Sequence, residues 1–395
     1  MKRMFINLLV CLLISSYQLK SQTLYSVDKW MEYIEEMASE TEDEERIETL
    51  YTDLSYLVEH PFELNTVTEE QLKRLPFLSD LQIRELLAYR SRYGNMLTLY
   101  ELKNVEAFDL ETISLLLPFV HIGEIIVDKR PLTVKNLLKR GSNNLQIRYD
   151  RCFQQKKGYC SYPDSVLQQY PNRKYLGEPF YHSVRYSYAF DERIQFGLVT
   201  EKDAGEPFWN EYHKGYDYYS IHLFLKDMNK WLKSLVVGDY KISFGQGLVI
   251  SNDFSPSRNA LVSQAERRTN GFRRHFSTNE NDFFRGAAAT VNWQKLDISL
   301  FYSYRKLDGS VDSTIVASFK TDGLHRLVRD REKMRKVGMQ TYGGNIRYAT
   351  PDLCIGLTVL SYSFGDCSIQ PDPKPYNIFY FRGSRNLNIS VDYLL

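Results

Sequence analysis

From about residue 145 to the C-terminus the chain alternates apolar and polar side chains, and this period of two constrains its fold more than any other feature. In Ser183–Phe190, Val184, Tyr186, Tyr188 and Phe190 share one face, with Ser183, Arg185, Ser187 and Ala189 on the other. After Asp191-Glu192 the pattern resumes, Ile194, Phe196 and Leu198 opposing Arg193, Gln195 and Gly197. A period of two sends successive side chains to opposite faces of a strand. An apolar face opposed by Arg, Gln, Asn, Ser and Gly suits lipid on one side and a polar interior on the other. A soluble sandwich shares that alternation, so the connections between strands arbitrate.

The pattern predicts about ten strands, near residues 145–151, 181–190, 193–201, 217–226, 233–242, 285–293, 295–305, 342–349, 353–364 and 387–395. Short connections fall at Asp191-Glu192, Asp227–Leu232, Gln294 and Thr350-Pro351-Asp352. They alternate with long polar ones at 152–180, 202–216, 243–284, 306–341 and 365–386. Outer-membrane barrels have this order, with brief turns inside and extended loops outside. In 295–305, Leu296, Ile298, Leu300, Tyr302 and Tyr304 oppose Lys295, Asp297, Ser299, Ser303 and Arg305; Phe301 alone breaks the polar face.

At 395 residues there is room for two domains. The formal charge is only +1, but residues 28–122 hold 21 acidic against 8 basic side chains, so this part lacks the basic balance of a nucleic-acid binder. The 29 tyrosines and 22 phenylalanines of the whole chain suit aromatic girdles around a barrel, or any large β core. Lys2 and Arg3, the apolar run Phe5–Ile14 and the polar stretch Ser15–Gln22 read as a secretory signal cleaved near Ser21 or Gln22. An exported chain without an apolar helix can still be integral if strands close a barrel. Export also permits disulfides: Cys152 with Cys160 and Cys354 with Cys367 are candidate staples of about 3 kcal/mol each, with connectivity left open. Their spacing does not indicate zinc.

Before the strands, 24–60 reads as helix, with Trp30, Tyr33, Ile34 and Met37, then Ile47, Leu50, Leu54 and Leu57, at helical spacing. The acidic run Glu40–Glu48 reads as a solvated helix face or a connection. A repeat with a 30-residue offset follows: Thr68, Leu72, Lys73, Ile83, Leu86 and Leu87 are matched by Thr98, Leu102, Lys103, Ile113, Leu116 and Leu117. Thr68 with Gln71 and Thr98 with Glu101 have capping-box spacing. Neither unit buries its apolar stripe alone, so the two are expected to form one module. The expected layout is a signal peptide (1–22), an acidic helical segment (23–60), a tandem module (61–122), an unassigned connector (123–143) and a β domain (144–395).

The opening Leu64-Asn65-Thr66-Val67-Thr68-Glu69-Glu70-Gln71-Leu72-Lys73-Arg74-Leu75-Pro76 resembles the competence-protein ComEA type of helix-hairpin-helix sequence. That resemblance implies hairpins whose glycines let backbone N–H groups grip a DNA phosphate. Here the hairpins are Pro76, Phe77, Leu78, Ser79 and Asp80, then Ala107, Phe108 and Asp109. The expected glycines fall on Phe77 and Ser79, and on Ala107 and Asp109, where a ring and a carboxylate oppose phosphate. Together with the acidic balance, this favours a protein-interaction or structural role over DNA binding. The whole layout is similar to Bacteroidetes-type exported proteins with a helix-hairpin-helix region before an outer-membrane β domain. Gly238–Val249 and Asn279–Ala288 carry that likeness.

The stretch 251–284 holds Arg258, Arg267, Arg268, Arg273 and Arg274, a candidate pore constriction, anionic-ligand loop or plain surface loop. Gly245-Gln246-Gly247 fits a bulge or close packing better than a nucleotide loop. Ser220 and His222 share a strand face without forming a triad, and neither an enzyme nor a cofactor signature stands out. The expected fold is α+β and multidomain: a small all-α tandem helix-hairpin-helix module, then an antiparallel transmembrane-type β-barrel of about ten strands or a truncated copy of a larger one. The expected role is non-enzymatic, in the outer membrane, with the module in the periplasm. Its partners would be outer-membrane lipid and an envelope protein. DNA uptake and a soluble secreted β-sandwich adhesin are the alternatives.

Overall fold

The computed structural model describes residues 24–40, 44–59, 61–123, 132–190, 193–211, 213–252, 271–350 and 353–394. The signal-peptide reading of 1–22 lies outside these residues. They fall into two compact units, one within 1–125 and one within 126–395. No described helix is long and apolar enough to cross a membrane.

In the first unit, α1 (Leu24–Glu40) and α2 (Glu44–Glu59) bury Trp30, Ile34, Leu54 and Leu57 in one core with the tandem repeat. Strand β1 (Phe62–Glu63) pairs in parallel with β2 (Val120–His121), tying the two ends of the repeat together. Helix α3 (Glu69–Leu72) starts at Thr68, whose hydroxyl accepts from the Gln71 amide while the Gln71 side chain accepts from Thr68 N–H, a complete capping box. At the equivalent Thr98 the Glu101 carboxylate accepts from the Thr98 N–H at 3.1 Å. Helices α4 (Asp80–Tyr93) and α5 (Leu110–Leu116) bury the matched pairs Ile83 and Ile113, and Leu86 and Leu116. The repeat therefore packs as one module, as its offset predicts.

Ser79 and Asp109, again 30 residues apart, cap α4 and α5 by accepting from Gln82 N–H at 3.1 Å and Thr112 N–H at 2.7 Å. A cap of this kind contributes about 1 kcal/mol. Ser79→Ala and Asp109→Ala should each lower stability by about that amount, measured by urea unfolding.

The second unit begins with α6 (Val134–Arg140) in the segment read as a connector, and is otherwise mostly sheet. Ten long strands are β3 (Ser142–Arg151), β4 (Phe180–Phe190), β5 (Ile194–Lys202), β6 (Tyr218–Lys226), β7 (Leu232–Ser243), β9 (Phe284–Trp293), β10 (Leu296–Leu307), β13 (Val337–Ala349), β14 (Cys354–Ser363) and β16 (Arg385–Leu394). Each lies within a few residues of its expected position at nearly every end. Short β8 (Gly271–Arg274) adds to β7, and β11 (Gly309–Asp312), β12 (Ile315–Phe319) and β15 (Ser368–Ile369) form a small separate sheet; none was foreseen. The order is β3-β4-β5-β6-β7-β9-β10-β13-β14-β16, an antiparallel meander in which each long strand pairs with the next.

The expected antiparallel sheet is present, but among the described residues no ladder closes it into a barrel: β3 and β16 each pair with a single strand. One face buries both an apolar row, Phe224, Val236, Ala288, Phe301 and Leu360, and many polar side chains, while the other exposes apolar ones. Ser220, Ser299, Ser303, Thr341, Asn345 and Thr358 are buried, while Ile221, Leu300, Ile346, Leu357 and Ile389 on the other face are exposed, Leu300 by 66%. Phe301, the sequence exception, is buried with Phe244, Phe272 and Leu360. The buried face needs it because the chain after β7 folds back onto that face.

Candidate functional site

The hairpin residues of the tandem module do not form an open phosphate site. Phe77, Leu78 and Phe108 are core residues, the Phe77 ring lying 5.5 Å from Phe119 and 6.0 Å from Tyr33. Ser79 and Asp109, read from sequence as lost glycines, are helix caps instead, and the Thr112 N–H holds the Asp109 carboxyl below the usual carboxylate range. The Gln82 side-chain amide donates to Ala107 O at 3.2 Å and Thr112 Oγ1 at 3.1 Å, joining the start of one helix to the other hairpin. The Gln82 and Thr112 backbone amides at these helix starts are thus satisfied within the chain. The signal was present in sequence: Ser-x-x-Gln and Asp-x-x-Thr recur at the repeat offset.

In the second unit the segments Gly238–Val249 and Asn279–Ala288 include hydrogen-bonded neighbours. Gly238, Asp239 and Tyr240 of β7 pair with Gly286, Arg285 and Phe284 of β9. Arg285 grips Asp239 with two hydrogen bonds, at 2.6 and 2.7 Å. Gly245 and Gly247 take φ of 54° and 71° in the turn after β7, and a Cβ on Gly245 would stand 2.3 Å from Asp392 Oδ1. This is close packing, the reading its sequence favoured. Phe244 and Ile250 then turn into the buried face, where they meet Phe272 of β8. The next segment, His275–Phe283, is pinned there. Tyr218 Oη lies 3.0 Å from His275 Nε2, and the Arg305 guanidinium donates to the carbonyls of Glu280, Asn281 and Phe283.

Of the candidate arginines, Arg258, Arg267 and Arg268 lie outside the described residues. Arg273 and Arg274 sit on β8, with the Arg274 guanidinium 5.4 Å from the Phe276 ring. The candidate disulfides are not formed: Cys152, Cys160, Cys354 and Cys367 are free thiols. Cys152 Sγ donates to Gln154 Oε1 at 3.0 Å, and Cys354 Sγ accepts from Arg347 Nε at 3.0 Å. Ser220 and His222 are both buried on the inner face of β6, with His222 packed against Gly197.

Sequence reasoning missed a buried ionic cluster on the long connections. His325 is 2% exposed, and its two ring nitrogens face carboxylates on opposite sides, Nδ1 toward Asp217 and Nε2 toward Asp308 at 2.5 Å. Its backbone N–H donates to Glu206 Oε1 at 2.6 Å. Burial opposes charge on His325, but its hydrogen bonds to Asp217 and Asp308 outweigh this and raise its pKa to about 10. Burial, then the charges of Asp217 and Asp203, lifts the Glu206 carboxyl to about 7. Glu206, Asp217 and His325 also place metal-ligand atoms within 4.8 Å of one another. A proton on each ring nitrogen lets His325 donate to both flanking carboxylates, and Asp217 Oδ1 is left buried without a hydrogen bond among the described residues. Comparison with protein-family models, curated proteins and solved structures finds no match in any of the three.

Proposed function

We propose that the second unit is a membrane-embedded β domain of the outer-membrane type, with a binding or passage role rather than a chemical one. The observation that carries this is the sheet's exposed apolar face. On that face aromatic residues gather toward the two ends: Trp293, Tyr348 and Tyr393 near the short turns, and Tyr149, Tyr219 and Tyr304 near the long connections. Aliphatic residues such as Val291, Leu300 and Ile389 lie between. From Leu296 to Tyr304 the strand runs about 27 Å, or roughly 20 Å in height at a 40° tilt, close to the ~25 Å apolar band of such barrels. With ten strands in an up-and-down order, β3 and β16 run antiparallel, and a closing ladder between them would satisfy edge groups that lipid cannot.

The first unit would serve as a protein-interaction or gating module. Its exposed Tyr93, Leu97 and Tyr100 offer an apolar contact, whereas its capped helix starts and acidic balance disfavour DNA. The mature protein should need surfactant to stay dispersed. It should also migrate faster on gels when unheated than after boiling, as a folded barrel does. A folded monomer in plain buffer would overturn the membrane reading.

A further inference from the structure

We propose that Glu206, Asp217 and His325 form a structural site for one divalent cation of the Zn²⁺ class, held where two long connections meet. The inference does not depend on what covers the sheet. Glu206 and Asp217 lie on the connection 203–217, and His325 lies on 308–336. One ligand-type atom from each of the three lies within 4.8 Å of the other two. His325 Nδ1 stands 3.9 Å from Glu206 Oε1, near the ~3.3 Å between two ligands of a tetrahedral ion with bonds of about 2.0 Å.

Asp217 is 3% exposed; its Oδ2 faces His325 Nδ1, and its Oδ1 is buried with no hydrogen bond among the described residues. A buried polar atom left unmet costs about 1–3 kcal/mol, and a bound cation is one of the few partners that removes this cost. The neighbouring groups are placed as outer partners of such an ion. Asp308 accepts from His325 Nε2 at 2.5 Å and from the Arg335 N–H at 2.7 Å. A metal-bound imidazole keeps its other ring N–H on a carboxylate in this way, which fixes the ring and turns Nδ1 to the ion. Both Glu206 oxygens accept backbone N–H groups, from His325 at 2.6 Å and Asp203 at 3.0 Å, which favours the carboxylate and leaves it lone pairs for a ligand bond. Asp203, Glu206, Asp217, Glu280 and Asp308 all act on this region, opposed by Lys202, Arg326 and Arg335. With acids in excess, a cation is the ligand that the charge favours.

The donor set selects the cation. Two carboxylates and an imidazole, with no thiolate among them, suit Zn²⁺ or Mn²⁺, whereas Ca²⁺ and Mg²⁺ prefer oxygen throughout. The three side chains are at most 3% exposed, which suits an ion that holds the fold rather than one that meets a substrate. Such an ion would join 203–217 to 308–336. The connection 152–179 is already tied to both, Leu176 N–H donating to Arg326 O at 3.0 Å and Gly177 N–H to Gly205 O at 2.9 Å.

Zn²⁺ alone is the probe, titrated by calorimetry into the full chain in detergent after treatment with EDTA. One Zn²⁺ should bind per chain with a Kd below about 10 μM, and Ca²⁺ at least about tenfold more weakly. Asp217→Asn and His325→Gln should abolish this binding. Asp308→Ala removes only the partner of Nε2 and should weaken it by about 10–100-fold. Hydrogen exchange gives a readout in the wild type that no variant's folding can confound. With Zn²⁺ at about a hundred times its Kd, protection of the Gly177, Gly205 and His325 amides should rise by up to about a hundredfold, while residues 299–303 of β10 keep theirs. Equal Zn²⁺ binding in Asp217→Asn would place the ion elsewhere, on the free thiols for example, and overturn the site. Binding weaker than the stated Kd, Ca²⁺ as tight as Zn²⁺, or protection indifferent to Zn²⁺ would each overturn it as well.

Discussion

Replacing Leu300 with arginine is expected to cost about 2–4 kcal/mol when the protein is folded in a bilayer. Leu300 lies midway along β10 and is 66% exposed, paired between Ala289 and Gly344. On a water-facing surface the same exchange falls within about 0.5 kcal/mol of neutral. The difference in expectation follows from the solvent alone, since the side chain makes few protein contacts to lose. Reversible urea unfolding from lipid vesicles measures it. Ile389→Arg on β16 should behave alike, being 61% exposed on the same face. A change below 0.5 kcal/mol at both sites would mean that water covers this surface.

The second large effect concerns Arg305. It is buried, and its guanidinium donates to Asn281 O at 2.7 Å, to Glu280 O at 2.6 Å and to Phe283 O, with its charge 3.9 Å from the Phe283 ring centre. Arg305→Leu removes three charge-assisted bonds and strands carbonyls inside the fold, at a cost of about 3 kcal/mol or more. Arg305→Lys keeps the charge but lacks the planar fork that reaches three carbonyls, so it should recover only part of the loss. Urea unfolding reads the energy, and exchange of amides 275–283 reads whether the segment leaves the sheet. A loss under 1 kcal/mol would show that the aromatic contacts of Phe283 hold the segment by themselves.

Much of the strand layout was legible because it is a local property. The alternation in 295–305 places Leu300 and Ser299 on opposite faces whatever the partner strand, and short turns such as Gln294 force adjacent strands to pair. The 30-residue repeat was legible for the same reason, as caps and apolar stripes lie within one turn of each other. Phe301 looked like an exception because its reason lies elsewhere in the chain. Phe244 and Phe272 come to it from segments 57 and 29 residues earlier. The ionic cluster had no sequence signal at all: His325 lies 119 residues from Glu206 and 108 from Asp217.

The amino-acid order alone determined where the ten long strands and the repeat helices run and which face of most of them is apolar, since dihedral preference and side-chain period act over a few residues. Only the tertiary structure decided that Ser299, Ser303 and Thr341 are buried while Leu300 and Ile389 are exposed. It also decided that Ser79 and Asp109 close their own helix starts, and that one histidine collects three acids from distant connections. Those outcomes depend on which surfaces meet, and burial and charge pairing are properties of the assembled chain rather than of any window along it.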